Sequence, residues 1–259
     1  MRKALITGGA SGFGFRIAER LAEDGASVAL LDVDAERLGE AVAKIGPTAL
    51  ALPADVRSPA SVADAVTQAE AAFGGLDTVV LSAGVIETKP LAEVTEADWD
   101  RTLDINLKGA FVVAQAAAPA LRASGRGRIV AISSDAGRRG FAMTHAYCAS
   151  KFGLIGLIES LAAELAPDAV TANCVCPVGC PTTAMGEQLL AGKVAASGAT
   201  AQEIMSRTAR GNPLGRNATE DDVADAVLFF VSDAASFLTG CALDVDGGAH
   251  LGGGIPGIG

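Results

Sequence analysis

The chain has 259 residues, half of them hydrophobic, and a formal net charge of −10 at pH 7. That length suits one large α/β domain or two small ones with a sizeable core, and the acidic balance argues against a nucleic-acid partner, which needs a basic footprint. No uninterrupted apolar run reaches the ~18 residues of a membrane span, and MRKALITGG leads straight into a strand pattern rather than a signal peptide, so a cytoplasmic protein with no membrane partner is expected.

Residues 3–7, KALIT, read as a short buried strand. GGASGFG follows, then a helical run, FRIAERLAEDG, that Gly25 closes. Strand, glycine loop and helix together suit a pyrophosphate. Glycine lets the backbone approach closely, and the helix start offers free N–H groups and a positive dipole end. The spacing is Thr7-Gly8-x-x-x-Gly12-x-Gly14, not the commoner G-x-G-x-x-G. A second strand, SVALLDV, carries Asp32 eighteen residues after Gly14. A carboxylate there accepts bonds from both adenosine ribose hydroxyls and repels a 2′-phosphate. No basic residue directly follows Asp32, and Ser11 rather than Arg or Lys precedes Gly12, so NAD is expected over NADP. The alternative is a surface carboxylate at a strand end.

Helix AERLGEAVAKI and strand ALALPADV come next, with Asp55 and Val56 at the strand's C-terminal end, the edge where such sheets bind ligands. A helix starts at Ser58-Pro59. Strand LDTVVLSAG ends in the small-residue turn Ser82-Ala83-Gly84. A long helical segment over residues 96–124 carries Asn106 near its middle, where an asparagine wants a partner. Strand GRIVAISS then brings Ser133 and Ser134 to the same edge. Thirteen positions after Ser134 stands Tyr147, with Lys151 at i+4. On a helix these two share a face. The ammonium favours the phenolate, and lowering a phenol by ~2–3 units from about 10 takes roughly 3–4 kcal/mol. The bland alternative, an ordinary surface pair, loses ground to the cofactor loop upstream.

Strand AVTANCVCP, an irregular stretch to about residue 215, helix EDDVADAVLFFVSD and strand CALDVDGG close the chain. Strands and helices alternate throughout, which predicts an α/β fold with a doubly wound parallel sheet, residues 1–259 forming a single domain. Residues 183–212 are expected to form a helical lid, with Met185, Leu189 and Leu190 facing either substrate or body. The glycine-rich tail, 250–259, reads as a frayed end or as a segment docked on a neighbouring subunit. Cys174, Cys176 and Cys180 cluster, but zinc wants four ligands at recognisable spacings, and His145 and His250 lie elsewhere in the sequence. Cys174 and Cys176 share a parity on a strand and are expected to pack as small hydrophobes. No metal site is expected.

Over about residues 3–248 these motifs jointly resemble the short-chain dehydrogenase/reductase family, in its compact single-domain branch with a Rossmann-type sheet. TGGASGFG, with Gly8, Ser11, Gly12, Phe13 and Gly14, is similar to the family's cofactor loop. Asp32 and the Asp55-Val56 pair stand where the family contacts ribose and adenine. Ser82, Ala83 and Gly84, and then Pro177, Val178, Gly179 and Thr182, fall where it lines the cofactor. Asn106, Ser134, Tyr147 and Lys151 match its catalytic tetrad in order and spacing. The resemblance implies hydride transfer between nicotinamide C4 and a carbinol carbon. Tyr147 would take the hydroxyl proton, and Lys151 would stabilise the phenolate and bond the nicotinamide ribose. Ser134 would orient an alcohol or polarise a ketone, and Asn106 would hold a water.

Two turns depart from the family pattern. Its Asn-Asn-Ala-Gly turn reads Leu81-Ser82-Ala83-Gly84, and its Pro-Gly pair reads Pro177-Val178-Gly179, with a Cβ where glycine's freedom is usual. Arg138, Arg139 and His145 sit in the loop before Tyr147, and an arginine fork suits a carboxylate, phosphate or sulfonate, although such arginines are often solvated. The expected activity is an NAD-dependent dehydrogenase of a small secondary alcohol, a polyol or an anionic hydroxy compound. The alternatives are a ketone or 3-oxoacyl-thioester reductase and, from another class, a non-catalytic NAD-binding sensor. Helices around 96–124 and 147–166 are apolar beyond one face, which suits a homo-oligomer, a tetramer or dimer.

Overall fold

The computed structural model describes residues 1–251. Strands β1 (Lys3–Thr7), β2 (Ser27–Asp32), β3 (Ala49–Pro53), β4 (Thr78–Leu81), β5 (Arg128–Ile132), β6 (Thr171–Pro177) and β7 (Ala242–Val245) form one sheet in the order β3-β2-β1-β4-β5-β6-β7. Every pairing is parallel, and Thr7 lies level with Leu31 on one side and Leu81 on the other. The order reverses between β1 and β4. There the crossovers leave in opposite directions, and a crevice opens beyond the C-terminal strand ends.

The inner strands β1, β4, β5 and β6 are buried on both faces, as parallel sheets require, and the edge strands β3 and β7 only in part. Side chains alternate between two cores. Leu5 packs with α3 (Pro59–Phe73), α5 (Gly109–Ala123) and α6 (His145–Leu165). Ala4 and Ile6 pack with α1 (Gly12–Glu23), α2 (Ala35–Ile45) and α9 (Glu220–Val231). Cys174 and Cys176 share one of these cores as free thiols, as their parity implies. The doubly wound sheet read from the alternation of elements is therefore the fold.

The segment over 96–124 is one helical run, as expected, but it is not uniformly α-helical. It comprises α4 (Glu96–Leu103), a wide π-turn at Asp104–Lys108, and α5. The widened turn lets Asn106 reach the chain after β4. The missing side chain of Gly109 admits Val56, whose Cγ2 lies 2.7 Å from where a Cβ would stand. The sequence around residues 183–212 is helical, as α7 (Ala184–Ser197) and α8 (Ala201–Gly211), joined by Gly198. Its irregular flanks are short. His145–Asp168 is long and apolar enough to cross a membrane by length and composition, more than an uninterrupted-run reading indicates. Its residues Leu154, Ile158, Ala162 and Leu165 lie in the core against the sheet. Most of the tail expected to fray or dock, residues 252–259, lies outside the described residues.

Candidate active site

The glycine loop stands at the crevice between β1 and β4. Gly8 has φ +66°, in the left-handed region, and a Cβ there would lie 3.0 Å from the Ala83 backbone. Glycine is thus required twice over. The Ser82-Ala83-Gly84 turn lacks the family's amide side chains, and Thr7 supplies a tie instead. Its hydroxyl accepts the Ser82 and Ala83 N–H groups at 3.0 and 3.1 Å. α1 begins behind Ser11, whose side chain makes no cap bond. The first-turn N–H groups therefore have no side-chain acceptor and face the loop, the arrangement that receives a phosphate. Gly12, Phe13 and Gly14 open that turn.

Asp32 ends β2 beside this loop. One carboxylate oxygen accepts the Ala10 N–H at 3.2 Å and the other the Asp34 N–H at 3.1 Å. Asp55 carries the Arg57 guanidinium, Nη2 at 2.6 Å, and the side-chain hydrogen bond from Arg57 holds its carboxyl below the usual range. Val56 beside it is buried. At the far side of the crevice, Pro177 ends β6 and Val178 N–H donates to the Val245 carbonyl at 3.2 Å. Val178 does not take a left-handed backbone, and neither does Gly179, so the Cβ at this departure is accommodated without strain. Thr182 donates to Glu220 Oε2 at 2.7 Å, and Cys180 Sγ lies 3.5 Å from the same oxygen. The free first-turn N–H groups of α1 suit a diphosphate and the Asp32 carboxylate suits ribose hydroxyls, so the crevice fits a dinucleotide.

The structure gathers the four expected catalytic residues on the other side of the switch point. Ser134 follows β5, and Tyr147 and Lys151 lie on one face of α6, all three buried. Lys151 Nζ donates to the Ile132 carbonyl at 2.8 Å and sits 5.6 Å from the centre of the Tyr147 ring. Gly84 brings the cofactor turn against this group. A Cβ on it would stand 3.4 Å from Asn106 Oδ1 and 3.6 Å from Lys151 Nζ. Asn106 ties the π-turn to the chain after β4. Its Oδ1 accepts the Val85 N–H at 2.8 Å, and its Nδ2 donates to the Val85 carbonyl at 2.9 Å and to Ser150 Oγ at 3.0 Å.

One electrostatic expectation is corrected. Tyr147 is not drawn down by Lys151. Burial pushes its phenol up to about 12, against a smaller opposing pull from the Ser134 hydroxyl. Burial also brings the Lys151 ammonium down to about 8. The cause is common to both: each charged form loses water, and the lysine's hydrogen bond goes to a backbone carbonyl rather than to the phenol. Before cofactor arrives, Tyr147 is a neutral proton donor at physiological pH.

The residues expected at the substrate end are differently placed. Arg138 makes a two-pronged pair with Asp244 of β7, at 3.1 and 3.3 Å. Arg139 pairs with Asp135 at 3.5 Å and stacks on Phe141 at 5.1 Å. The Arg138 fork is thus occupied by one of the protein's own carboxylates, whereas Arg139 makes a single longer contact with another. His145 opens α6 with Nδ1 buried and without a hydrogen-bond partner. Met185 lies half-buried in the first turn of α7. Two site residues escape a reading of motifs, Glu220 and Asp135, and Thr7 stands in the glycine-loop motif without its tie to the Ser82-Ala83 turn showing there. Only Asp135 leaves a local signal, as a carboxylate directly after the site's serine. Ser134 donates to its Oδ1 at 3.0 Å.

A family model described as enoyl-(acyl carrier protein) reductase matches residues 8–250, and the chain belongs to the short-chain dehydrogenase/reductase family. It is an oxidoreductase that moves a hydride between a small secondary alcohol, or its ketone, and a nicotinamide cofactor. Among its relatives, the 2-(S)-hydroxypropyl-CoM dehydrogenase 3 of Xanthobacter autotrophicus is 37% identical over 246 residues, 94% of each chain. The galactitol 2-dehydrogenase of Agrobacterium fabrum is 34% identical over 246 residues, 95% of this chain and 96% of that one. Among solved structures, an actinorhodin polyketide ketoreductase with NADPH superposes with a TM-score of 0.91 at 31% identity, covering 96% of this chain and 97% of that one.

Proposed function

We propose that the protein is an NAD-dependent dehydrogenase of a small secondary alcohol, with Asn106, Ser134, Tyr147 and Lys151 as its catalytic group. The observation that carries this reading is the convergence of Tyr147, Lys151, Asn106 and Gly84 where the turn after β4 meets the end of β5. Bound nicotinamide would accept the hydride at C4. The chain's own part is to hold the alcohol and move its proton. Tyr147 is the proton carrier, and a cationic nicotinamide together with protonated Lys151 would favour its phenolate. Ser134 fixes the substrate oxygen. Asn106 is a strut that keeps the π-turn against the cofactor turn, and its backbone neighbourhood is where a relay water would sit.

Asp32 supports NAD over NADP, since its carboxylate at the loop repels a 2′-phosphate. The NADP reading has one observation in its favour: Arg37 and Lys44 border a cleft with Ala10 and Ser11. Arg37, however, already faces Asp34 at 3.4 Å. Gly8, Ser11, Gly12, Phe13 and Gly14 would hold the diphosphate. Asp55 and Val56 would hold the adenine, with Ser82, Ala83, Gly84, Pro177, Val178, Gly179 and Thr182 along the rest of the cofactor. A reductase reading draws support from the neutral state of Tyr147, which suits proton donation to a ketone. The occupied fork of Arg138 favours a neutral substrate such as a polyol over an anionic one. The hydroxypropyl-CoM named for the Xanthobacter relative favours the reverse.

α7 and α8, with Met185 at their start, serve as the lid of a single domain. The partly exposed Phe111 and Phe152 on α5 and α6 suit burial against further copies of the chain, in a dimer or tetramer. The acidic composition and the free thiols fit the cytoplasm. The direct test offers NAD⁺ and NADP⁺ with galactitol, sorbitol, 3-hydroxybutyrate, 2-hydroxypropanesulfonate and butan-2-ol, reading nicotinamide reduction. Turnover with NAD⁺ and a neutral alcohol is expected, and Asp32→Ala should raise NADP⁺ use at least tenfold. Turnover with NADP⁺ alone in the wild type would overturn the cofactor assignment.

A further inference from the structure

The start of α1 and the root of the lid share one cleft, which Gly12, Arg16, Thr182, Thr183, Glu220 and Asp221 line together. Thr183 packs over the glycine loop, its Cγ2 3.8 Å from where a Cβ on Gly12 would stand. Its hydroxyl caps α7, accepting the Gly186 N–H at 3.0 Å. Arg16 is fully engaged by its neighbours, reaching Asp221 at 2.7 Å and Glu19 at 2.6 Å. The other carboxylates of α9, Asp221, Asp222 and Asp225, each hold an arginine, whereas Glu220 forms no ion pair among the described residues. Its Oε2 accepts the Thr182 hydroxyl at 2.7 Å and lies 3.5 Å from Cys180 Sγ. Burial pushes the Cys180 thiol up, so this neighbour is a neutral donor and adds no charge of its own. We propose that Glu220 sets an uncompensated negative charge beside the diphosphate seat, which weakens dinucleotide binding and speeds cofactor release.

A diphosphate arrives as an anion and takes the first-turn N–H groups of α1, which Ser11 leaves without a side-chain acceptor. A second anion facing the same cleft repels it. An arginine beside Glu220 would cancel that repulsion, but Arg16 is already balanced by two carboxylates. The Glu220 carboxylate is also held in place, because swinging out to solvent would give up its bond to Thr182. The cofactor is a second substrate that must leave after each turnover, and affinity differences within one site appear mostly in the off-rate. A residue that weakens the seat therefore favours exchange over retention. The inference rests on the reading of this crevice as the dinucleotide site.

The experiment titrates the full-length wild type, Glu220→Gln and Glu220→Asp with adenosine, ADP-ribose and NADH, at low and at high salt. Glutamine keeps the volume and an oxygen for the Thr182 hydroxyl while removing the charge. Aspartate keeps the charge and shortens the reach to Thr182. At low salt Glu220→Gln should bind ADP-ribose and NADH about three- to tenfold more tightly than the wild type, with adenosine unchanged. The gap should close to within about twofold at high salt, where exposed charges are screened. NADH dissociation, followed by stopped flow, should slow by the same factor, and Glu220→Asp should stay within about twofold of the wild type. Unchanged or weaker ADP-ribose binding in Glu220→Gln would overturn the proposal. So would a tightening that adenosine shares, that salt does not reduce, or that Glu220→Asp shows equally, since the last would trace to the Thr182 bond rather than to charge. If ADP-ribose and NADH bind none of the proteins, the dinucleotide reading fails and the proposal with it. If they bind all three alike, the reading stands and the proposal alone falls.

Discussion

The glycine loop and the loop after β5 both border the active cleft, and they are held by opposite means. Around Gly8 the backbone packs against itself. A Cβ on Gly8 would press the Ala83 backbone, and one on Gly14 would run into the Gly8 carbonyl. Around residues 138–144 the backbone packs less closely against its neighbours, although the Lys89 N–H donates to the Met143 carbonyl at 2.9 Å. Gly140 has nothing within 4 Å of where a Cβ would stand, Met143 takes a left-handed φ of +68°, and side chains do the fastening. Arg138 reaches Asp244, Arg139 stacks on Phe141, and Thr144 Oγ1 donates to the Phe141 carbonyl. The proposed cofactor side is fixed by shape, with no room for a side chain at Gly8 or Gly14. The substrate side is fixed by replaceable charge pairs, as suits the part of a fold that changes when specificity changes.

A glycine swap on each side gives the largest contrast. Gly14→Ala should weaken cofactor binding about a hundredfold or more, whereas Gly140→Ala should leave both affinity and melting temperature unchanged, as a fluorescence titration with NADH would read. Thr7→Val comes next. It keeps the volume but strands two N–H groups, each costing about 1–3 kcal/mol when buried. A loss of about 2 kcal/mol in denaturant titration is expected, with weaker cofactor binding. An unchanged midpoint would mean the turn does not need the threonine.

The third test is of pH. The folded lysine at position 151 titrates near 8 and the unfolded one near 10.4, so between these values the unfolded chain binds more protons and stability rises with pH. The expected gain from pH 8 to 10 is on the order of 2 kcal/mol, and Lys151→Met should flatten it. The Tyr147 shift is opposite in sign and acts only above about pH 10, where it makes stability fall. Smallest is Arg138→Gln, which breaks a half-exposed ion pair worth about 0–1 kcal/mol. It should leave the melting temperature within a degree or two and KM for a neutral alcohol unchanged. A large rise in KM for sulfonated or carboxylated alcohols alone would show that the fork leaves Asp244 for substrate, and would return Arg138 to anion recognition.

The same contrast explains what could be read from the sequence. The sheet, its winding and the glycine loop were legible because apolar runs alternate with helical periods and because close backbone approach admits one residue type. Tyr147 and Lys151 were legible because i and i+4 fix a shared helix face. The π-turn at Asp104–Lys108 was not, since it depends on Asn106 meeting Val85 and on Val56 meeting Gly109 across the fold. Arg138 and Asp244 stand 106 positions apart, and no local pattern announces such a pair. The direction of the Tyr147 shift was misjudged because the helix spacing gives the lysine's proximity, whereas burial, which dominates, is a property of the assembled layers.

The most direct test of the account is the paired measurement of NAD⁺ affinity and alcohol oxidation in the wild type and in Tyr147→Phe. The account predicts that the variant binds NAD⁺ within about twofold of the wild type and oxidises the best panel alcohol about a thousandfold more slowly, the range of a lost general acid–base group. A phenylalanine variant that binds the cofactor and turns over at the wild-type rate would contradict it, because the proton would then be leaving by a route that does not involve Tyr147.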